Sequence, residues 1–385
     1  MPKDKRKTIV HRDRVVTIFP YAKGFKPPTI KKCRDAIENT KKEVHFDALA
    51  EFFPPIPPPS CEDDWLAMYN EPGQTFREFT EGTPWLSSRK RRYTQQKFVS
   101  KGVDIPSKYP DGVICLLPIG DFDSSNMHPK FEVLAAYTKA YIGLPVTILP
   151  SVDLEFDEKT SCAYWSGLGK GYSGNVLDEE SAELQRNYTK RTKLNARFDR
   201  ATGTWQLCVD TVLDKLRSIL PKNALCLVAL TMTDLYCDDT DLFVAGMSAG
   251  NRGVAVFSFA RYDPALTFST EFWYEMYYSK AITVKERKKL MLQRSCRLLV
   301  HEIGHLLGLD HCIWFQCCMN GSGHLAEDFS QPMSLCPVDL HKLQALCGFD
   351  ILKRYSELLA FYKKHGFKEE QDWVTSRVTH ITKGK

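Results

Sequence analysis

Apolar and polar positions change rhythm near residue 112 of this 385-residue chain. GVICLLPIG (112–120) reads as a buried strand, FEVLAAYTKAYIG (131–143) as an amphipathic helix closed by Gly143, and LPVTILP (144–150) as a second strand. Such a β-α-β start favours a parallel or mixed sheet. The polar, glycine-bearing stretch 156–191 predicts an insertion or long connection. WQLCVDTVLDKLRSIL (205–220) carries helical spacing and is stopped by Pro221, NALCLVALTMTDLY (223–236) reads as a strand, and FVAGMSAGNRGVAVFSFARYD (243–263) as a glycine-broken hairpin. A long helical pattern then runs from Lys285 to Leu309. Residues 1–110 look irregular, with a proline cluster at 51–65 and the basic run RKRR at 89–92, and 366–385 read as a charged tail. The proline cluster suits a rigid surface connection or a polyproline ligand. The basic run suits a solvated loop, a nuclear address or an anion patch.

Composition narrows the class. Hydrophobic residues at 43% and charged residues at 26% fit an ordinary globular protein, and a formal charge of +5 is too mild to imply a nucleic-acid partner. The N-terminus lacks the apolar core of an export signal, and no stretch reaches the ~18 apolar residues of a membrane helix. The expectation is an intracellular monomer of the cytosol or nucleus, with no membrane and no nucleic-acid partner. Thirteen cysteines in that setting speak against a disulfide scaffold. Cys115 and Cys226 sit in apolar runs and read as core residues, whereas five cysteines crowd between Cys312 and Cys347, which suggests metal ligation.

The chemistry concentrates in HEIGHLLGLDHC, residues 301–312. Residues four apart share a helix face, so His301 and His305 can place ring nitrogens on one zinc ion. Glu302 beside them suits a general base acting on the water that zinc activates. Gly308 can take the positive φ that ends the helix and brings His311 in as third ligand, leaving the fourth position open. The spacing is the metzincin pattern HExxHxxGxxH. Asp310 competes as third ligand, although its plainer roles are a partner to a ligand or a solvated turn residue.

Beyond the third histidine the chain resembles the archaemetzincins (archaelysin family). Their pattern continues with Cys, four residues, Cys, one residue, Met and a later Cys-x-x-Cys, and Cys312, Cys317, Met319 and Cys336 fill those places. The resemblance spans about 112–359. It implies an α/β (α+β) fold: a metzincin-like peptidase domain over 111–365 with a mixed twisted sheet, an active-site helix and a zinc-stapled segment, 312–347. It also implies two zinc ions, one catalytic and one structural on the cysteines, and Met319 as the apolar floor of the Met-turn. One position departs from the family, because Asp339 stands where the last cysteine belongs. Asp339 could ligate in its place; Cys318, Cys347 or His324 could substitute; the second zinc could be weak or absent; or Asp339 could simply complement a helix N-terminus.

The functional expectation is a zinc metallopeptidase, an aminopeptidase or endopeptidase, that hydrolyses peptide or protein substrates. An extended substrate would pair with an edge strand in the 243–263 region. The alternative is a zinc-stabilised interaction module, catalytically weak or inactive, motivated by the proline-rich and basic segments.

Overall fold

Residues 113–119 and 224–231 lie side by side in parallel register, and their alternate side chains enter two different cores. Ile114, Leu116, Cys226, Val228 and Leu230 join one, while Cys115, Leu117, Leu227 and Ala229 join the other. A strand buried on both faces has no polar side, which is why both runs read as continuous apolar segments. Cys115 and Cys226 are fully buried core residues as expected.

The structure is a computed structural model that describes residues 7–11, 14–18, 25–122, 127–168, 182–200, 202–239, 241–268, 276–278 and 282–383. Its N-terminal elements are β1 (Lys7–His11), β2 (Arg14–Ile18), α1 (Ile30–Ile37), α2 (Trp65–Met68), α3 (Phe76–Gly82) and α4 (Ile105–Lys108). Then come β3 (Val113–Ile119), α5 (Phe131–Ile142), β4 (Val146–Ile148), β5 (Val152–Asp157), β6 (Cys162–Leu168), α6 (Ala182–Thr189), β7 (Thr192–Asp199), β8 (Thr204–Cys208) and α7 (Val209–Ser218). β9 (Ala224–Thr231), β10 (Asp234–Tyr236), β11 (Gly246–Ala249), β12 (Val254–Ser258), β13 (Leu266–Phe268) and β14 (Met276–Tyr278) lead to α8 (Val284–Leu306). The chain closes with α9 (Leu325–Ser330), α10 (Pro337–Cys347), α11 (Ile351–His365) and α12 (Lys368–Lys383).

The main sheet is mixed, in the order β10-β8-β7-β6-β5-β3-β9-β12-β11 with β4 also on β3. β3, β9 and β12 run parallel and β11 closes the edge antiparallel to β12. The α/β expectation, the β-α-β start and the glycine-broken hairpin are thus present. Residues 223–236, read as one strand, are two, β9 beside β3 and β10 beside β8, and two further stretches of the sheet region differ from the sequence reading. Residues 156–191, expected as an insertion, supply the end of β5, β6 and α6, extending the sheet by antiparallel pairing; 169–181 lie outside the described residues. β5 and β7 are covered on one face only, so their solvent sides made them read as polar. Residues 205–208 are strand, and the helix begins only at Val209, because a short apolar run fits either period.

The irregular-looking N-terminal part packs into the same core, which runs from Cys33 to Ile381. Its proline cluster is docked: the Pro54 carbonyl accepts the Gln316 N–H at 2.9 Å, and Phe53 is buried. In the basic run, Arg91 donates to the Gly250 carbonyl at 2.5 Å and stacks over Trp85 at 4.5 Å. The tail expected at 366–385 is mostly α12, which buries Val374, Arg377 and Ile381. Among the described residues no helix is long and apolar enough to cross a membrane.

Arg377 ties the two ends of the chain together. One of its nitrogens donates to the carbonyls of His45 at 2.8 Å and Val44 at 3.2 Å, and its guanidinium lies over Phe52 and Phe53. Arg377→Ala is expected to lower stability by about 2–3 kcal/mol, since bonds from a charged donor and apolar stacking are lost together. Limited proteolysis should then cut within 40–60 before the sheet; an unchanged cleavage pattern would refute this tie.

Candidate metal centre

Thr283 caps α8, accepting the Glu286 N–H at 3.2 Å, and the helix runs twenty-three residues before ending at Leu306. Gly308 has φ +95°, and the Leu309 N–H returns to the Gly304 carbonyl at 3.0 Å. Only glycine adopts that φ without strain, so the chain turns there and sends His311 back toward the helix. This is the turn the motif predicts.

Each imidazole is oriented by a partner of its Nδ1 atom. His301 donates to the Cys318 carbonyl at 2.7 Å, His305 to the Leu309 carbonyl at 2.7 Å, and His311 to a Glu71 carboxylate oxygen at 3.1 Å. Because these partners only accept, the Nδ1 atoms carry the protons and the Nε2 atoms keep free lone pairs. The Nε2 atoms of His301 and His305 stand 3.0 Å apart, and the three histidines form one group of converging ligand atoms. Burial, then the neighbouring imidazoles, holds His301 well below its ordinary pKa and brings His305 down to about 4. Uncharged rings with lone pairs meeting at one point repel one another unless a cation lies between them. The donor set fits zinc.

Glu302 lies outside that converging set, next to His301 on α8. Burial pushes its carboxyl up to about 8, with the charge of Asp328 adding to the effect. Asp310 is exposed and is not part of the converging histidine group; its N–H donates to Gln74.

A second group gathers Cys312, Cys317, Cys336 and Asp339, all buried. The sulfurs of Cys312 and Cys336 are 3.6 Å apart, and an Asp339 oxygen lies 3.2 Å from the Cys317 sulfur and 3.5 Å from that of Cys336. Pro337 starts α10 directly after Cys336, and the first turn of that helix carries Asp339 back to the sulfurs. Its other oxygen accepts from Lys342 Nζ at 2.9 Å, both groups being buried. Burial and the nearby Cys312 push Asp339 up to about 6, against the pull of Lys342. The substitutes considered from sequence are elsewhere. Cys318 lies beside Tyr141, Cys347 is buried near Asp104 and Arg354, and His324 sits with Cys61 and Asp64. In that third group His324 Nδ1 accepts the Glu327 N–H, which leaves Nε2 as donor to Asp64 at 3.0 Å. The arrangement ties the N-terminal segment to α9 and offers no ring lone pair to a cation.

Residues 204–345 match the sequence model of Peptidase family M54. Archaemetzincin-2 of Rattus norvegicus is 30% identical over 365 residues, covering 90% of this chain and 85% of that protein. The chain belongs to the archaemetzincin family. Archaemetzincin-2 of Homo sapiens is 38% identical over 183 residues, 44% of this chain and 49% of that one. The crystal structure of archaemetzincin from Methanopyrus kandleri is 20% identical, covering 60% of this chain and 93% of that one with a TM-score of 0.36. As a member of its family the protein is a zinc metallopeptidase.

Two residues of this archaemetzincin site carried no sequence signal. Glu71 comes from the irregular N-terminal part, and one of its oxygens also accepts from Trp65 Nε1 at 2.8 Å, while Trp65 meets the His311 ring edge-on at 4.8 Å. Lys342 faces Asp339 in a helix where it reads as an ordinary surface position. Met319, expected as the apolar floor, packs under the metal helix: a Cβ built on Gly304 would come within 2.7 Å of its sulfur. Met333 is buried within the loop that precedes Cys336. Gly304→Ala is expected to cost about 1–3 kcal/mol by overpacking. Combined with Met319→Ala, the loss should be smaller than the sum of the two single losses; strict additivity in thermal unfolding would show that the two do not touch.

Proposed function

We propose that this archaemetzincin hydrolyses peptide bonds at the site of His301, His305 and His311, which hold the catalytic zinc, with Glu302 as base toward the attacking water. The observation that carries the proposal is the convergence of three Nε2 lone pairs, each ring being locked by a separate acceptor. Zinc held by three histidines keeps a fourth position open, polarises a carbonyl and lowers the pKa of water to about 7. Glu302 follows the first ligand on α8 and stays out of the ligand set, which leaves its carboxylate free to take a proton and pass it to the leaving amine. Glu71 holds the His311 proton on Nδ1, fixing the tautomer that presents Nε2.

The edge strand β11 packs against α8, and Gly250 at its end lies against the His305 carbonyl. Among the described residues one side of β11 has no strand partner, so an extended peptide can add there by main-chain hydrogen bonds and reach the histidines.

Cys312, Cys317, Cys336 and Asp339 would hold a second, structural zinc with no open position. Three thiolates and a carboxylate exceed the charge of one divalent ion by two, and buried Lys342 offsets one of these. The segments that suggested an interaction module, the proline cluster and Arg91, have partners within this chain.

Glu302→Gln should retain zinc and lower kcat/KM by about 10²–10⁴-fold, the range ascribed to a general base. Glu71→Gln should instead weaken zinc binding by about 10–100-fold while the zinc-saturated enzyme keeps most of its turnover. Undiminished hydrolysis by Glu302→Gln would overturn the base assignment, and unchanged zinc affinity of Glu71→Gln would remove Glu71 from the site.

A further inference from the structure

A cavity of about 460 Å³ opens beside α8, on the turn before His301, walled by the loop 329–335, α11 and α12. Arg294, Arg297 and Arg354 all line it. Arg297 and Arg354 are each only 4% exposed. Arg297 spends Nη1 on the carbonyls of Phe329 and Gln331, and its Nη2 lies 3.8 Å from Asp328, leaving Nε and Nη2 without a hydrogen bond. Arg354 donates Nε to the Tyr141 carbonyl at 2.7 Å, lies over the Tyr141 ring, and leaves Nη2 unpartnered. Among the described residues no carboxylate forms an ion pair with Arg354.

A buried guanidinium always carries its charge, and burying it is costly unless its N–H groups are hydrogen-bonded or an anion pairs with it. Water can accept the free N–H groups but cannot neutralise the charge. Asp328 and Glu370 offset Arg297, so among the described residues the guanidinium left without an acid is that of Arg354. Glu370 also accepts from the Gln293 amide at 2.6 Å. The cavity is far larger than the ~30 Å³ share of one water and falls within the ~300–1,000 Å³ of small-ligand pockets. Planar guanidinium forks match the oxygen spacing of carboxylate and phosphate.

We propose that this cavity is an oxyanion site, in which Arg354 and Arg297 bind a carboxylate or phosphate group one helical turn from the catalytic histidines. The group is either a free anion or an acidic residue of a peptide, and the chemistry of recognition is shared. Its binding test does not depend on the peptidase reading.

The zinc-loaded full chain is titrated with inorganic phosphate and with succinate in a chloride buffer, by calorimetry and thermal unfolding. Saturable binding of at least one is expected, with a rising unfolding midpoint. Arg354→Met should weaken that binding by about tenfold or more, the loss expected for hydrogen bonds to a charged group. Without added anion it should unfold no earlier than the wild type, because an uncompensated charge has been removed. Arg354→Lys, which keeps the charge and loses the fork, should bind with intermediate affinity and keeps the test open if the methionine variant fails to fold. Absence of saturable binding by both anions, or undiminished affinity in the arginine variants, overturns the proposal. Turnover separates the two sources: succinate raises KM for acidic peptides alone if a substrate carboxylate enters the cavity, and affects acidic and neutral peptides alike if the ligand is a free anion.

Discussion

Three imidazole lone pairs pointing at one place are the constraint around which this molecule is arranged. Neutral rings in that geometry repel one another, so each must be held from behind. The holders come from three parts of the chain: the Cys318 carbonyl in the cysteine segment, the Leu309 carbonyl just past Gly308, and the Glu71 carboxylate in the N-terminal region. The candidate metal centre therefore has its supports distributed across the fold. Gly304 lets Met319 close in beneath the helix, and Gly308 makes the turn without which His311 could not return.

The cysteine group is coupled to this centre through the backbone. Cys312 follows His311 directly, and its N–H donates to the Met319 carbonyl at 2.7 Å, so the segment that carries the sulfurs also fixes the third histidine and Met319. Asp339 answers the departure from the family pattern by position: the first turn of α10 puts a carboxylate oxygen beside two sulfurs, with Lys342 against its other face.

The helix motif and the parallel strands were legible because their patterns are local. His301, His305, Gly308 and His311 obey helix and turn geometry over eleven residues, and β3 and β9 announce themselves by burial on both faces. What escaped the sequence depends on distant partners. Glu71 is 240 residues from His311, and nothing in its own neighbourhood marks it. The strands β5 to β7 looked polar because one face meets solvent, and the proline cluster looked free because Gln316 and Phe315, its partners, lie some 260 residues away. Lys342 was invisible for a different reason. A lysine on a helix is normally solvated, and only the buried acid one turn before it explains its place.

The two candidate metal groups differ in donor chemistry, and zinc K-edge X-ray absorption on the full chain loaded with two equivalents of zinc reads that difference directly. The account predicts a mixed first shell, with nitrogen and oxygen at about 2.0–2.1 Å and sulfur at about 2.3 Å, the sulfur shell shrinking in Cys312→Ser while the nitrogen shell persists. A shell of nitrogen and oxygen alone, or of sulfur alone, would contradict it.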